Sequence, residues 1–202
     1  MGAPFYIVFA GVNGAGKTTF FTSNLWRTAD MPMRMERVNP DELLRSQGGN
    51  WRSTKDNLAA GKEALRRIDG LFANRRSFNQ ETTLAGRTAL SNIQRANELG
   101  YRVFLYYIGV DSPQTALARI EHRVELGGHD IDEDAVLRRY NASLSALAHA
   151  LDYCEQAMVF DNTVDFRCLG LWSNGTLAWW GAKTSEGNWL ADVITNDALW
   201  QR

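Results

Sequence analysis

The chain has 202 residues, 45% hydrophobic and 22% charged, with a formal net charge of −1. A chain of this size suffices for one domain that buries most of its apolar surface without disulfides or structural metal. The near-neutral balance argues against a dedicated nucleic-acid or polybasic membrane partner. The two cysteines, Cys154 and Cys168, lack metal-ligand spacing and read as buried, reduced thiols.

At the N-terminus, residues 1–4 carry no basic charge and the apolar run over 5–10 is too short for a signal or a membrane span, so a soluble cytoplasmic protein is expected. Phe5-Tyr-Ile-Val-Phe-Ala10 has the composition of a strand buried on both faces. A glycine-rich loop follows, then a helix from about Lys17. A short strand is expected over 33–38. The next helix opens with Asn39 as N-cap, Pro40 in the first turn and Glu42 closing a capping box. A helix over 58–73 carries Leu58, Leu65, Ile68 and Phe72 on one face. Residues 77–83 read as a polar strand, 88–99 as a helix ending at Gly100, and 101–110 as a second strongly buried strand.

Helices over 113–126 and 133–151 flank Gly127-Gly128-His129-Asp130, where His129 reads as a loop or hinge residue. Residues 157–160 supply the last parallel strand. Segments 166–172 and 176–180 form a hairpin turning at Ser173-Asn174-Gly175, and a terminal helix begins near Asn188. Trp172, Trp179, Trp180, Trp189 and Trp200 read as the core of this tail rather than as a base-stacking platform. No repeat or linker divides the chain, so 1–202 is expected to be one domain. Its fold class is α/β: three layers, a mostly parallel sheet, a helical lid over about 113–150, and a small C-terminal hairpin plus helix over 166–202.

The most informative segment is Gly11-Val-Asn-Gly-Ala-Gly-Lys-Thr18, a Gly-x-x-x-x-Gly-Lys-Thr phosphate-binding loop between a buried strand and a helix. The glycines let successive N–H groups point at a β-phosphate, and the following helix adds its positive end. Lys17 then bridges the β- and γ-phosphates and the Thr18 hydroxyl ligates Mg²⁺, so ATP and Mg²⁺ are the expected ligands. No Asn-Lys-x-Asp base-recognition motif of GTPases occurs. The pattern therefore points to a P-loop kinase.

In such sheets ligands sit at the carboxyl ends of the strands. Asp41, just beyond the second strand, is read equally as a base for a substrate hydroxyl or as an acid favoured by its helix N-terminus. Glu81 ends the third strand and could hold metal-bound water or a substrate hydroxyl, or simply mark the strand end. Glu63 reads as a solvated acid. Arg123 and Arg139 have no acid one turn away on their helices, which suits a lid that closes over phosphates; Arg138 has Asp134 at i−4.

Taken in order, Gly11–Thr19, Val38-Asn-Pro-Asp41, Ala60-Gly-Lys-Glu63-Ala-Leu, Glu81-Thr-Thr-Leu-Ala-Gly-Arg87, Gly100-Tyr-Arg-Val, Arg123-Val-Glu-Leu-Gly-Gly-His-Asp130 and Arg138-Arg-Tyr140 resemble the zeta toxins and related zeta-like kinases over residues 4–165. The resemblance implies ATP-dependent phosphorylation of a sugar hydroxyl of UDP-N-acetylglucosamine. It implies a cradle of Gly11, Asn13, Gly14, Ala15, Gly16, Lys17, Thr18 and Thr19, with Asp41 as catalytic base. Glu63, Glu81 and Thr83 would bind substrate. Arg123 with Arg138 or Arg139 would neutralise the transferring phosphoryl group, joined by Arg87. A separate antitoxin chain is an expected partner if the protein is a toxin. Two other readings remain open: a kinase of another small hydroxylated metabolite or antibiotic, and an ATP-binding regulatory protein without catalysis.

Overall fold

The computed structural model describes residues 2–128, 130–181 and 189–196; His129, Asn188 and Trp200 lie outside this range. The apolar run Phe5–Ala10 (β1) is buried along its whole length because parallel strands flank it on both sides. Its neighbours are β3 (Phe78–Thr82) and β4 (Arg102–Gly109), with β2 (Glu36–Val38) beyond β3 and β5 (Gln156–Asp161) beyond β4. Strands β6 (Arg167–Ser173) and β7 (Thr176–Trp180) add antiparallel to β5, so the sheet order is β2-β3-β1-β4-β5-β6-β7.

Alternation along β1 sends its side chains into two separate cores. Tyr6, Val8 and Ala10 join α3 (Thr54–Ala73), α4 (Arg87–Glu98), α7 (Trp189–Asn196) and the second half of α6 (Glu133–Leu151). Phe5, Ile7 and Phe9 join α1 (Lys17–Ser23), α5 (Pro113–Glu125) and the first half of α6. This is the three-layer α/β architecture of the P-loop kinases. In the second core Phe9 stacks on Tyr106 with centroids 5.7 Å apart and meets Trp26 edge-on at 5.0 Å. Tyr106 Oη donates to the Trp26 carbonyl at 2.7 Å, and Trp26 Nε1 donates to the Phe21 carbonyl at 2.8 Å. Each polar tip buried here thus has a partner.

Strand β3 lies deep in the sheet despite its polar sequence, because its buried polar groups are paired. Gln80 accepts from the Tyr6 hydroxyl, and Asn79 from Arg37 at 3.3 Å. Helix α3 differs from its expected face. It packs through Ala60, Ala64, Ile68, Leu71 and Phe72, whereas Leu58 and Leu65 are 61% and 41% exposed. The i, i+4 alanine row lets the helix lie close to its neighbours, and Leu58 and Leu65 fall on the adjacent stripe.

The C-terminal hairpin turns at Asn174 and Gly175, which have φ of 49° and 74°, the left-handed pair that fits a tight two-residue turn. Trp172 and Trp189 are core, Trp180 is half-buried, and Trp179 on the edge strand is 50% exposed. Cys154 is buried and Cys168 partly so, both as free thiols, and burial raises the pKa of each. Among the described residues no helix is long and apolar enough to cross a membrane.

Phe9→Ala should cost about 3–5 kcal/mol in urea unfolding, the range for deleting a fully buried aromatic. Trp179→Ala should stay within about 0.5 kcal/mol of the parent.

Candidate active site

Chain reversal after β1 brings the loop 11–16 over the carboxyl edge of the sheet. Gly11 has φ 135°, and a Cβ there would sit 1.9 Å from the Ile108 carbonyl oxygen. Gly16 has φ 95°, and its Cβ would meet the Asn162 amide nitrogen at 2.6 Å. Only glycine fits either place. Asn162, one residue past β5, donates from Nδ2 to the Ala15 carbonyl at 2.8 Å and braces the loop from outside.

Lys17 is buried at the first residue of α1, with Nζ donating to the Val12 carbonyl at 2.9 Å. Burial lowers its pKa most. Glu81 and Asp41 pull it back up, and Arg123 and Arg139 push it down again. Around it opens a cleft of about 830 Å³ lined by the loop residues Asn13, Gly14, Gly16, Lys17, Thr18 and Thr19, by Asp41, Glu42 and Arg45 of α2 (Pro40–Ser46), by Glu81 and Thr83, and by Arg119, Arg123 and Arg139.

Asp41 is placed by its helix start. Asn39 Oδ1 accepts from the Asp41 N–H at 2.9 Å and the Glu42 N–H at 3.4 Å, with Pro40 in the first turn. The expected capping box does not close. Glu42 turns instead to Arg37 Nε, 2.8 Å away, because a charge-assisted bond outcompetes one to a neutral backbone N–H. Thr18 Oγ1 donates to both oxygens of Glu81, at 2.9 and 3.1 Å, and Arg37 clamps the same carboxylate.

This hydroxyl and carboxylate form an oxygen-only donor pair that fits a hard divalent cation. Among the described residues no cluster of three His, Cys, Asp or Glu side chains could hold a metal unaided. A cation such as Mg²⁺ held by this pair would draw its remaining ligands from water and phosphate.

The two helices expected as a lid meet the cleft through α5 and the first half of α6. Arg139 reaches the Asn13 side chain at 3.2 Å, and Arg119 donates to the Thr163 carbonyl at 3.1 Å. Toward its C-terminal end α6 packs into the core, with Leu147 and Ala150 fully buried.

Three residues expected at the site are placed off the cleft lining. Arg138 faces solvent beside Arg139. Arg87 is exposed at the start of α4, where Ala85 and Gly86 line the wall instead. Glu63 lies along α3 and accepts from Arg66 at 2.8 and 2.9 Å and from Arg67 at 2.9 Å; these bonds, Arg66 first, hold its carboxyl down to about 2. Two short-range i+3 and i+4 pairs thus occupy it locally. Arg37, Arg45, Arg119 and Asn162 went unread in the sequence. Arg45 was accessible to a periodicity argument, being one turn from Asp41; the others depend on register and chain reversal.

Because the depressed pKa makes the unfolded chain the better proton acceptor, the buried Lys17 ammonium costs stability below its folded pKa, and the cost disappears as pH rises toward 10.5. Lys17→Met should therefore raise the ligand-free melting temperature at pH 7. In calorimetry the gain should shrink with increasing pH.

No family model matches the chain. An uncharacterized protein of Haemophilus influenzae is 32% identical over 137 residues, 66% of this chain and 91% of that protein. Among solved structures, a chain of the AvrRxo1-ORF1:AvrRxo1-ORF2 complex with sulphate ions superposes with a TM-score of 0.69 at 19% identity, over 95% of this chain and 63% of its own. The same complex with ATP gives a TM-score of 0.64 at 18% identity, over 96% and 63%. This chain thus spans less than two thirds of the AvrRxo1 chain. A chain of the PezAT chromosomal toxin-antitoxin system of Streptococcus pneumoniae superposes with a TM-score of 0.59 at 16% identity, over 97% of this chain and 78% of that one. The chain belongs to one family with the Haemophilus influenzae protein, and its fold is the P-loop kinase fold of the AvrRxo1 and PezAT chains.

Proposed function

We propose that the protein is an ATP-dependent phosphotransferase that moves the γ-phosphoryl group onto a hydroxyl of a small acceptor. The observation that carries this reading is the convergence of Lys17, Asp41, Arg123 and Arg139 on one cleft at the carboxyl edge of the sheet. A nucleotide sensor needs the cradle and the cations; an acid capped in place across from the cradle is the addition that transfer to a hydroxyl requires. The ATP complex of the AvrRxo1 chain, on the same fold, supports ATP as the donor.

In this mechanism the loop N–H groups and Lys17 hold the β- and γ-phosphates, and Arg123 and Arg139 approach from the lid to offset charge on the transferring group. Asp41 accepts the acceptor's hydroxyl proton as the oxygen attacks phosphorus and the bond to the β-phosphate oxygen breaks. Thr18 and Glu81 would hold Mg²⁺, which when bound screens charge between the phosphates. Arg138 and Arg87, exposed near the cleft, would act only on lid closure, and Glu63 only after release from Arg66 and Arg67.

For the acceptor, the zeta-type motif set around Glu81-Thr82-Thr83 favours a sugar hydroxyl of UDP-N-acetylglucosamine. Arg45 on the acceptor side of the cleft, its guanidinium unpaired among the described residues, suits an anionic acceptor of that kind. A separate antitoxin chain is the partner by analogy with the PezAT toxin-antitoxin system. The free cysteines suit a cytoplasmic setting.

With Mg·ATP and UDP-N-acetylglucosamine, mass spectrometry should find one added phosphate that Lys17→Ala abolishes. Asp41→Asn should lower kcat by about 100-fold or more with ATP affinity little changed. Phosphate on another hydroxylated metabolite would move the acceptor assignment and leave the kinase reading in place; full turnover by Asp41→Asn would remove Asp41 as base.

A further inference from the structure

Arg37 is a largely enclosed cation that none of the phosphate-binding motifs includes. Its side chain is 13% exposed, and each of its three nitrogens donates a hydrogen bond. One terminal nitrogen grips Glu81, the other donates to Asn79 Oδ1 at 3.3 Å, and Nε donates to Glu42 at 2.8 Å. The plane lies over the Phe21 ring, 3.7 Å from its centroid.

Strand register accounts for this placement. Arg37 of β2 pairs with Asn79 of β3, and Glu81, two residues further along the same face, comes under the fork. Phe21 stands one turn after Thr18 on α1, so the guanidinium touches both the helix that carries Thr18 and the carboxylate that Thr18 meets. Three elements, β3, α1 and α2, close on this one side chain of β2.

We propose that Arg37 is a positioning residue that fixes the Glu81 carboxylate against Thr18 and thereby sets the Mg²⁺-dependent part of ATP binding. The inference rests on the reading of the cleft as a Mg·ATP site. A carboxylate with 10% side-chain exposure loses much of its orientation when the guanidinium it pairs with is removed. The planar fork matters beyond the charge: three acceptors lie around it in fixed directions, which a lysine ammonium cannot span.

A structural ion pair alone would alter stability and affect binding of free ATP and Mg·ATP alike, so the test separates the two. ATP binding is measured by isothermal titration, once in EDTA and once in excess Mg²⁺, for the parent, Arg37→Met and Arg37→Lys, with melting curves for each. Met keeps the packing on Phe21; Lys keeps the charge and supplies the folded variant if Met unfolds. Both variants should lose about tenfold in affinity for Mg·ATP, as supporting partners of metal ligands commonly do, and less than twofold for ATP in EDTA. Equal losses in both conditions, or parent-like Mg·ATP affinity in a folded variant, would overturn the proposal. A parent chain that binds ATP in neither condition would overturn the Mg·ATP reading and this inference together.

Discussion

The cleft is organised around one costly feature, a lysine ammonium buried where β1 hands over to α1. Burial works against its charge, and the Val12 carbonyl accepts a hydrogen bond from its Nζ at 2.9 Å. Glu81 and Asp41 ease the cost from one side, while Arg123 and Arg139 raise it from the other. An arrangement with three cations facing one another is poorly balanced by itself and well balanced around a polyanion.

The fold supplies that arrangement through strand order. Placing β1 between β3 and β4 brings Glu81 and the loop 11–16 to the same edge, and Gly11 can curl over Ile108 only because it lacks a side chain. The acids come from β3, paired on both sides, and from the capped start of α2. The arginines come from α5 and the first half of α6, where Arg139 reaches Asn13 and Arg119 reaches the Thr163 carbonyl. Acids on one wall opposite arginines on another suit a site that holds the phosphates of a nucleotide beside a hydroxyl acceptor.

Much of this was legible in the chain. The buried strands announced themselves by unbroken apolar runs, and the Gly-x-x-x-x-Gly-Lys-Thr spacing located the cradle between one of them and a helix. The face of α3 was misjudged because leucines outweigh alanines in any apolar count, whereas close packing of the helix favoured the small Ala60 and Ala64. The capping role of Glu42 failed for a related reason: local spacing says nothing of Arg37, which arrives through the pairing of β2 with β3. Asp134 at i−4 already sets Arg138 apart from Arg139 in sequence, and the pitch of α6 against the loop is what brings Arg139 to Asn13.

Hydrogen–deuterium exchange on the chain with and without a non-hydrolysable Mg·ATP analogue tests the central claim directly, because it reads the cradle and the lid arginines in one experiment. The account predicts slowed exchange in peptides covering the loop 11–18 and in α5 with the first half of α6, with the middle of α3 unchanged. Unaltered exchange at 11–18 under saturating analogue would contradict it.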